Sequence, residues 1–134
     1  MNESGQLSIV DEWLMIAYDD LDSAKFLFEH KHPKPLEIIC YHCQQSVEKS
    51  LKAFLVSRSV EAPKLHDCGK ICGMCIDEDG VFEQFHHDCI ELALYATNTR
   101  YPSRMELEEH NAHAALHKAA AIYAFVSEYV KSEK

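Results

Sequence analysis

Three histidines form a row near the carboxyl end of the chain. His110, His113 and His117 are spaced i, i+3 and i+7, which places them on one side of a helix, away from the apolar residues of that segment. Such a row could bind a metal ion, or could place an imidazole for acid–base chemistry. A solvated helix face explains the spacing equally well, so both interpretations stay open here.

Two Cys-x2-Cys pairs are the second group of residues that could do chemistry. Cys40 and Cys43, together with Cys72 and Cys75, could on paper give four thiolates to a zinc ion. Both pairs, however, lie on apolar stripes at helical spacing, and Cys68 extends the second stripe. Free cysteine is a small residue that is readily buried. We therefore predict that these cysteines fill the core, and we expect no metal site and no cofactor.

A polar row accompanies the apolar stripe of the second helical segment. It consists of Gln45, Glu48, Lys49 and Lys52. Glu48 and Lys52 are four residues apart and can form an ion pair, worth a few tenths of a kcal/mol if it is exposed. Taken alone, the row is predicted to be a solvated helix face.

Apolar periodicity predicts the helices that must position these residues. Capping residues, prolines and a turn at Asp79-Gly80 separate the segments. The predicted helices cover about residues 8–30, 35–59, 67–77, 81–96 and 104–130. Because no segment alternates convincingly with a period of two and every connection is short, we predict an all-α, antiparallel up-and-down bundle of four long helices plus one short helix.

Composition narrows the classes of function. The 134 residues carry a formal net charge of −9, with 47% hydrophobic content. These values predict one packed domain over residues 1–134, of which residues 1–7 are expected to form a flexible tail. The acidic balance disfavours double-stranded DNA binding, and no apolar run is long enough for a membrane helix. Six cysteines without a secretory signal are typical of a cytoplasmic protein.

Four stretches that follow one another along the chain carry a family resemblance. They are Trp13-Leu14-x-x-Ala17-x-x-Asp20-Leu21-x-x-Ala24, Tyr41-His42-x-Gln44-Gln45-x-x-Glu48-Lys49-x-x-Lys52-Ala53, Pro63-x-x-His66-Asp67 and Thr99-Arg100-Tyr101-Pro102. In this order they closely resemble the HEPN family (higher eukaryotes and prokaryotes nucleotide-binding), in particular its small stand-alone prokaryotic members. The resemblance extends from about residue 10 to about residue 130.

The resemblance implies a helical homodimer that is the toxin-type component of a pair with a minimal nucleotidyltransferase, which would be its antitoxin. It also implies RNA or a nucleotide as ligand. Many family members are metal-independent RNA endonucleases whose signature is an Arg, four to six residues and a His at the start of the last helix. Arg104 and His110 meet this spacing, with five residues between them, and Arg100 is a competing arginine. The resemblance therefore implies His110 as general acid/base and Arg104 or Arg100 as phosphate clamp.

The alternative is a module without catalysis. It would bind a nucleotide or a partner protein through its dimer and its polar face, with Gln45, Glu48, Lys49 and Lys52 as the binding residues. Three glutamates close to His110, at positions 106, 108 and 109, place negative charge where a phosphate would bind and weaken the nuclease interpretation. A purely structural helical dimer is a third interpretation.

Overall fold

The computed structural model describes residues 8–96 and 106–133. In these residues it contains helices and no strand. The helices are α1 (Ile9–His30), α2 (Leu36–Ser57), α3 (Cys68–Glu78), a 3₁₀-helix (Gly80–Phe85), α4 (His86–Ala93) and α5 (Glu109–Ser132). The all-α helical bundle predicted from the sequence is confirmed. The tail predicted for residues 1–7 lies outside the described residues.

Capping side chains begin three of the α-helices. The Ser8 hydroxyl accepts a hydrogen bond from the Asp11 backbone N–H at 3.1 Å, and Asp67 caps α3 in the same way. Both caps were predicted from the sequence. The last helix begins later than predicted, at Glu109, because the Asn111 side chain accepts from the Glu108 backbone N–H at 2.9 Å and fixes the first turn there.

The helix predicted over residues 81–96 is divided in the structure. Its first part is the 3₁₀-helix, which Asp79 begins by accepting a hydrogen bond from the Val81 backbone N–H at 3.1 Å. A 3₁₀-helix has three residues per turn, so Phe82 and Phe85 point in the same direction and are both buried. The tighter helix thus buries both rings before the chain continues as α4.

The direction of the long helices follows from their contacts. Residues 31–35 join α1 to α2, and so short a connection makes the two helices antiparallel. Helix α5 packs against both α1 and α2. Where it meets α1, Phe28 lies 6.0 Å from His113 and Tyr18 lies 5.9 Å from Tyr123, as measured between ring centroids. Because α5 is therefore also antiparallel to α1, it runs parallel to α2. The α1/α5 contact forms the wall of a groove described below.

All six cysteines lie in the core, as the core-filling prediction requires. Burial raises the pKa of Cys40 and of Cys68 to about 12. These two thiols therefore remain protonated at neutral pH, which makes them poor nucleophiles. Among residues 8–96 and 106–133, no three His, Cys, Asp or Glu side chains are placed to hold a metal ion together. Nor does this part of the chain include a helix long and apolar enough to cross a membrane.

Candidate functional site

His110 lies on the first turn of α5 and points away from the core. Its side chain is 73% exposed, and its Nδ1 atom is 3.4 Å from a carboxylate oxygen of Glu108. The first turn of a helix carries partial positive charge from its free backbone N–H groups, which favours an anion such as phosphate. The imidazole is thus accessible to a substrate. Arg100 and Arg104 lie outside the described residues, so the arginine of the pair stays a prediction.

The histidine row is divided between two places. His113 and His117 are exposed on the side of α5 that faces α1, where they line a groove of about 490 Å³. His110 lies at the amino-terminal end of α5 and does not line this groove. The three imidazoles therefore do not share one site, although the sequence spacing suggested a single row.

The polar row of α2 is not the solvated face that its sequence predicted. The Glu48 side chain is fully buried, and the Lys52 side chain is only 5% exposed. Lys49 and Lys52 each place Nζ at 2.9 Å from the same carboxylate oxygen of Glu48. The solvated-face prediction is wrong because α1 packs on one side of α2, and the segment before α3 covers another. Gln45 and Lys49 remain half-buried, at the edge of this cluster.

Two further residues complete this cluster. The sequence predicts His66 as a helix-entry residue whose ring bonds to backbone or to a neighbouring helix, and it assigns Gln44 no role. Gln44 is fully buried, and its amide donates to the His66 backbone carbonyl at 2.9 Å. The His66 ring also contacts Glu48, with its Nδ1 atom 3.2 Å from Glu48 Oε2. Both residues belong to the stretches that carry the family resemblance, but their spacing in the sequence does not indicate that they are in contact. His66 is 73% exposed, so it connects the buried carboxylate to the surface.

The two lysines decide the charge state of Glu48. Burial acts to raise the pKa of Glu48, while the hydrogen bonds and positive charges of Lys49 and Lys52 lower it by more. The net pKa is below the ordinary glutamate value, and Glu48 is ionised at neutral pH. The Lys52 ammonium also lies 5.7 Å from the centre of the Trp13 ring, a cation–π distance that joins α1 to the cluster. We call Gln44, Glu48, Lys49, Lys52 and His66 the α2 polar cluster.

Comparison with known proteins identifies the family. The HEPN domain model matches residues 10–129. The chain therefore belongs to the HEPN domain family. A comparison with curated proteins finds no match.

Solved structures show the same fold. The crystal structure of TT1696 from Thermus thermophilus is 23% identical in sequence, with a TM-score of 0.78. The alignment covers 91% of this chain and 98% of that one. The crystal structure of ST0689, an archaeal HEPN homologue, is 21% identical with a TM-score of 0.70, and its alignment covers 92% of this chain and 99% of the other. The bundle described above is thus the HEPN fold over nearly its whole length.

Proposed function

We propose that the protein is a metal-independent RNA endonuclease that works as a homodimer. His110 is the general acid/base, and Arg104 or Arg100 is the phosphate clamp. The observation that carries the proposal is the position of His110, an exposed imidazole on the first turn of α5, with five residues between it and Arg104. Family membership supports the same pairing of residues, and it supports a nucleotidyltransferase-type antitoxin as partner.

The chemistry needs only an imidazole and a guanidinium. The imidazole takes the proton of a ribose 2′-hydroxyl, whose oxygen attacks the neighbouring phosphorus. The bond from phosphorus to the 5′-oxygen breaks, and that oxygen receives a proton from an imidazolium. The products are a 2′,3′-cyclic phosphate and a free 5′-hydroxyl. The guanidinium stabilises the negative charge that grows on the phosphate oxygens during attack.

Glu108 supports a catalytic role for the histidine. A carboxylate beside Nδ1 favours the imidazolium form of the ring and leaves the other nitrogen open to a substrate. Glu108 lies 3.4 Å from His110 Nδ1, and both side chains are exposed. The cost is a negative charge close to the scissile phosphate, which the arginine of the pair must offset.

The test is RNA cleavage in excess EDTA by the wild type and by the variants His110→Ala, Arg104→Ala and Arg100→Ala. The matched control is His87→Ala, because His87 is also an exposed histidine beside a carboxylate, with Nε2 at 3.1 Å from Glu91. We expect cleavage to be lost in His110→Ala and in one arginine variant, and kept in His87→Ala. Circular dichroism of each variant verifies that the fold is intact.

A second candidate function is favoured by the acidic surroundings of His110. Glu106, Glu108 and Glu109 are all exposed there. In this case the protein is a non-catalytic dimer that binds a nucleotide or a partner protein through its polar face. Gln45 and Lys49 would make the contacts, while the buried members of the α2 polar cluster hold them in place. Nucleotide that co-purifies with a protein inactive on RNA supports this function over the nuclease.

A further inference from the structure

We propose that His113 and His117 form a binding site for a divalent transition-metal ion in the groove between α1 and α5. Both imidazoles are exposed, and both line the same groove of about 490 Å³. The site is separate from His110 and plays no part in the RNA cleavage proposed above.

The spacing of the two histidines suits a metal ion. Residues four apart on a helix lie on the same face, one turn above the other. Two histidines at this spacing on one helix are the arrangement with which metalloprotease helices bind zinc. Imidazole nitrogen suits Zn²⁺, Cu²⁺ and Ni²⁺, and does not suit Mg²⁺ or Ca²⁺, which prefer oxygen ligands. The pair therefore selects a class of metal ion.

The charges around the groove favour a cation. On the α1 side it is lined by the carboxylates of Asp22 and Glu29 and by the ammonium of Lys25. Two negative charges against one positive charge disfavour a phosphate or another anion in this position. The net charge of −9 over the whole chain acts in the same direction.

The coordination shell would combine protein and solvent ligands. As the side chains stand, no three metal-ligating groups converge within the described residues. The two imidazoles therefore supply the protein ligands, and water completes the shell unless Asp22 or Glu29 rotates into it. Phe28, whose ring centre is 6.0 Å from that of His113, lines the same groove and packs beside this imidazole.

The experiment is isothermal titration of the full chain with Zn²⁺ alone at neutral pH. The proteins are the wild type, His113→Ala, His117→Ala and the control His87→Ala, an exposed histidine that lies outside the groove. Loss of an outer-shell partner of a metal ligand weakens binding about 10–100-fold, so loss of a ligand itself should cost at least as much. We expect one site in the wild type and in the control, and at least a tenfold loss of affinity in each groove variant.

Several results would overturn the proposal. Absence of Zn²⁺ binding by the wild type removes the site. If His113→Ala and His117→Ala bind Zn²⁺ as tightly as the wild type does, the ion binds at another place in the protein. His110→Ala tests the pairing of His110 with His113, which are three residues apart. A loss of binding in His110→Ala and His113→Ala, with His117→Ala unaffected, assigns the ion to the amino-terminal end of α5 and overturns the groove site. Titration followed by NMR of the histidine ring protons should show the signals of His113 and His117 shifting together.

Discussion

Removal of the Glu48 carboxylate should destabilise the fold more than removal of any exposed glutamate. In Glu48→Ala, the Lys52 ammonium, with a side chain only 5% exposed, loses its carboxylate partner. Gln44 and His66 lose an acceptor at the same time. Breaking a buried ion pair by removing one partner costs about 3–5 kcal/mol, because the remaining charge is left without compensation. We expect a loss of stability within this range.

The matched control is Glu91→Ala. Glu91 also pairs with a lysine, with Lys118 Nζ at 3.0 Å, but its side chain is 50% exposed. Exposed pairs contribute about 0–1 kcal/mol because water and salt screen the charges. Urea unfolding followed by circular dichroism, at one protein concentration, gives both free energies of unfolding. A loss in Glu48→Ala no larger than that in Glu91→Ala would refute the reasoning from burial.

The difference in stability between the wild type and Glu48→Ala should change with pH in a definite direction. The pKa of Glu48 in the folded state is lower than its ordinary value, because Lys49 and Lys52 outweigh the effect of burial. The stabilisation is therefore complete above the ordinary glutamate pKa, about 4.3, and is lost as the pH falls below it. The gap in stability between the wild type and Glu48→Ala should narrow in acid. A gap that widens below this pH would contradict the proposed charge state.

Three further predictions follow from single contacts. Ser8→Ala removes the cap of α1 and should lower the free energy of unfolding by about 1 kcal/mol, as measured by urea unfolding. An unchanged free energy of unfolding would mean that water replaces the cap. The pKa of the Tyr129 phenol is raised because its hydroxyl donates to Asp79, so Asp79→Ala should lower it, as followed by the ultraviolet absorbance of tyrosinate. The six buried cysteines should react with a thiol reagent far more slowly in the folded protein than in urea, and rapid reaction of the folded protein would contradict their burial.

The fold was largely predictable because its signals are local. The caps at Ser8 and Asp67 and the apolar periodicity of α1, α2 and α3 are present in short stretches of sequence, and the structure confirms them. The 3₁₀-helix was missed because Phe82 and Phe85 fit a helical stripe of either type, and only their packing in the core selects the tighter turn.

The site was less predictable, because burial depends on elements distant in sequence. Glu48 and Lys52 have the spacing of an exposed ion pair, and nothing local to α2 shows that α1 and the segment around His66 cover them. The spacing of His113 and His117 likewise gives their shared helix face, but the groove exists only because α1 packs beside α5. Sequence thus identified the residue types, and tertiary packing decided which of them are accessible.

The most direct test of the proposed nuclease is the nature of the RNA ends that it makes in excess EDTA. We expect the wild type to leave 2′,3′-cyclic phosphates and free 5′-hydroxyls, since the 2′-oxygen is the nucleophile. General acid–base catalysis contributes about 10²–10⁴-fold, so His110→Ala should slow cleavage by that factor while His87→Ala does not. Undiminished cleavage by His110→Ala, or no cleavage of any RNA by clean wild-type protein, would contradict the assignment of His110.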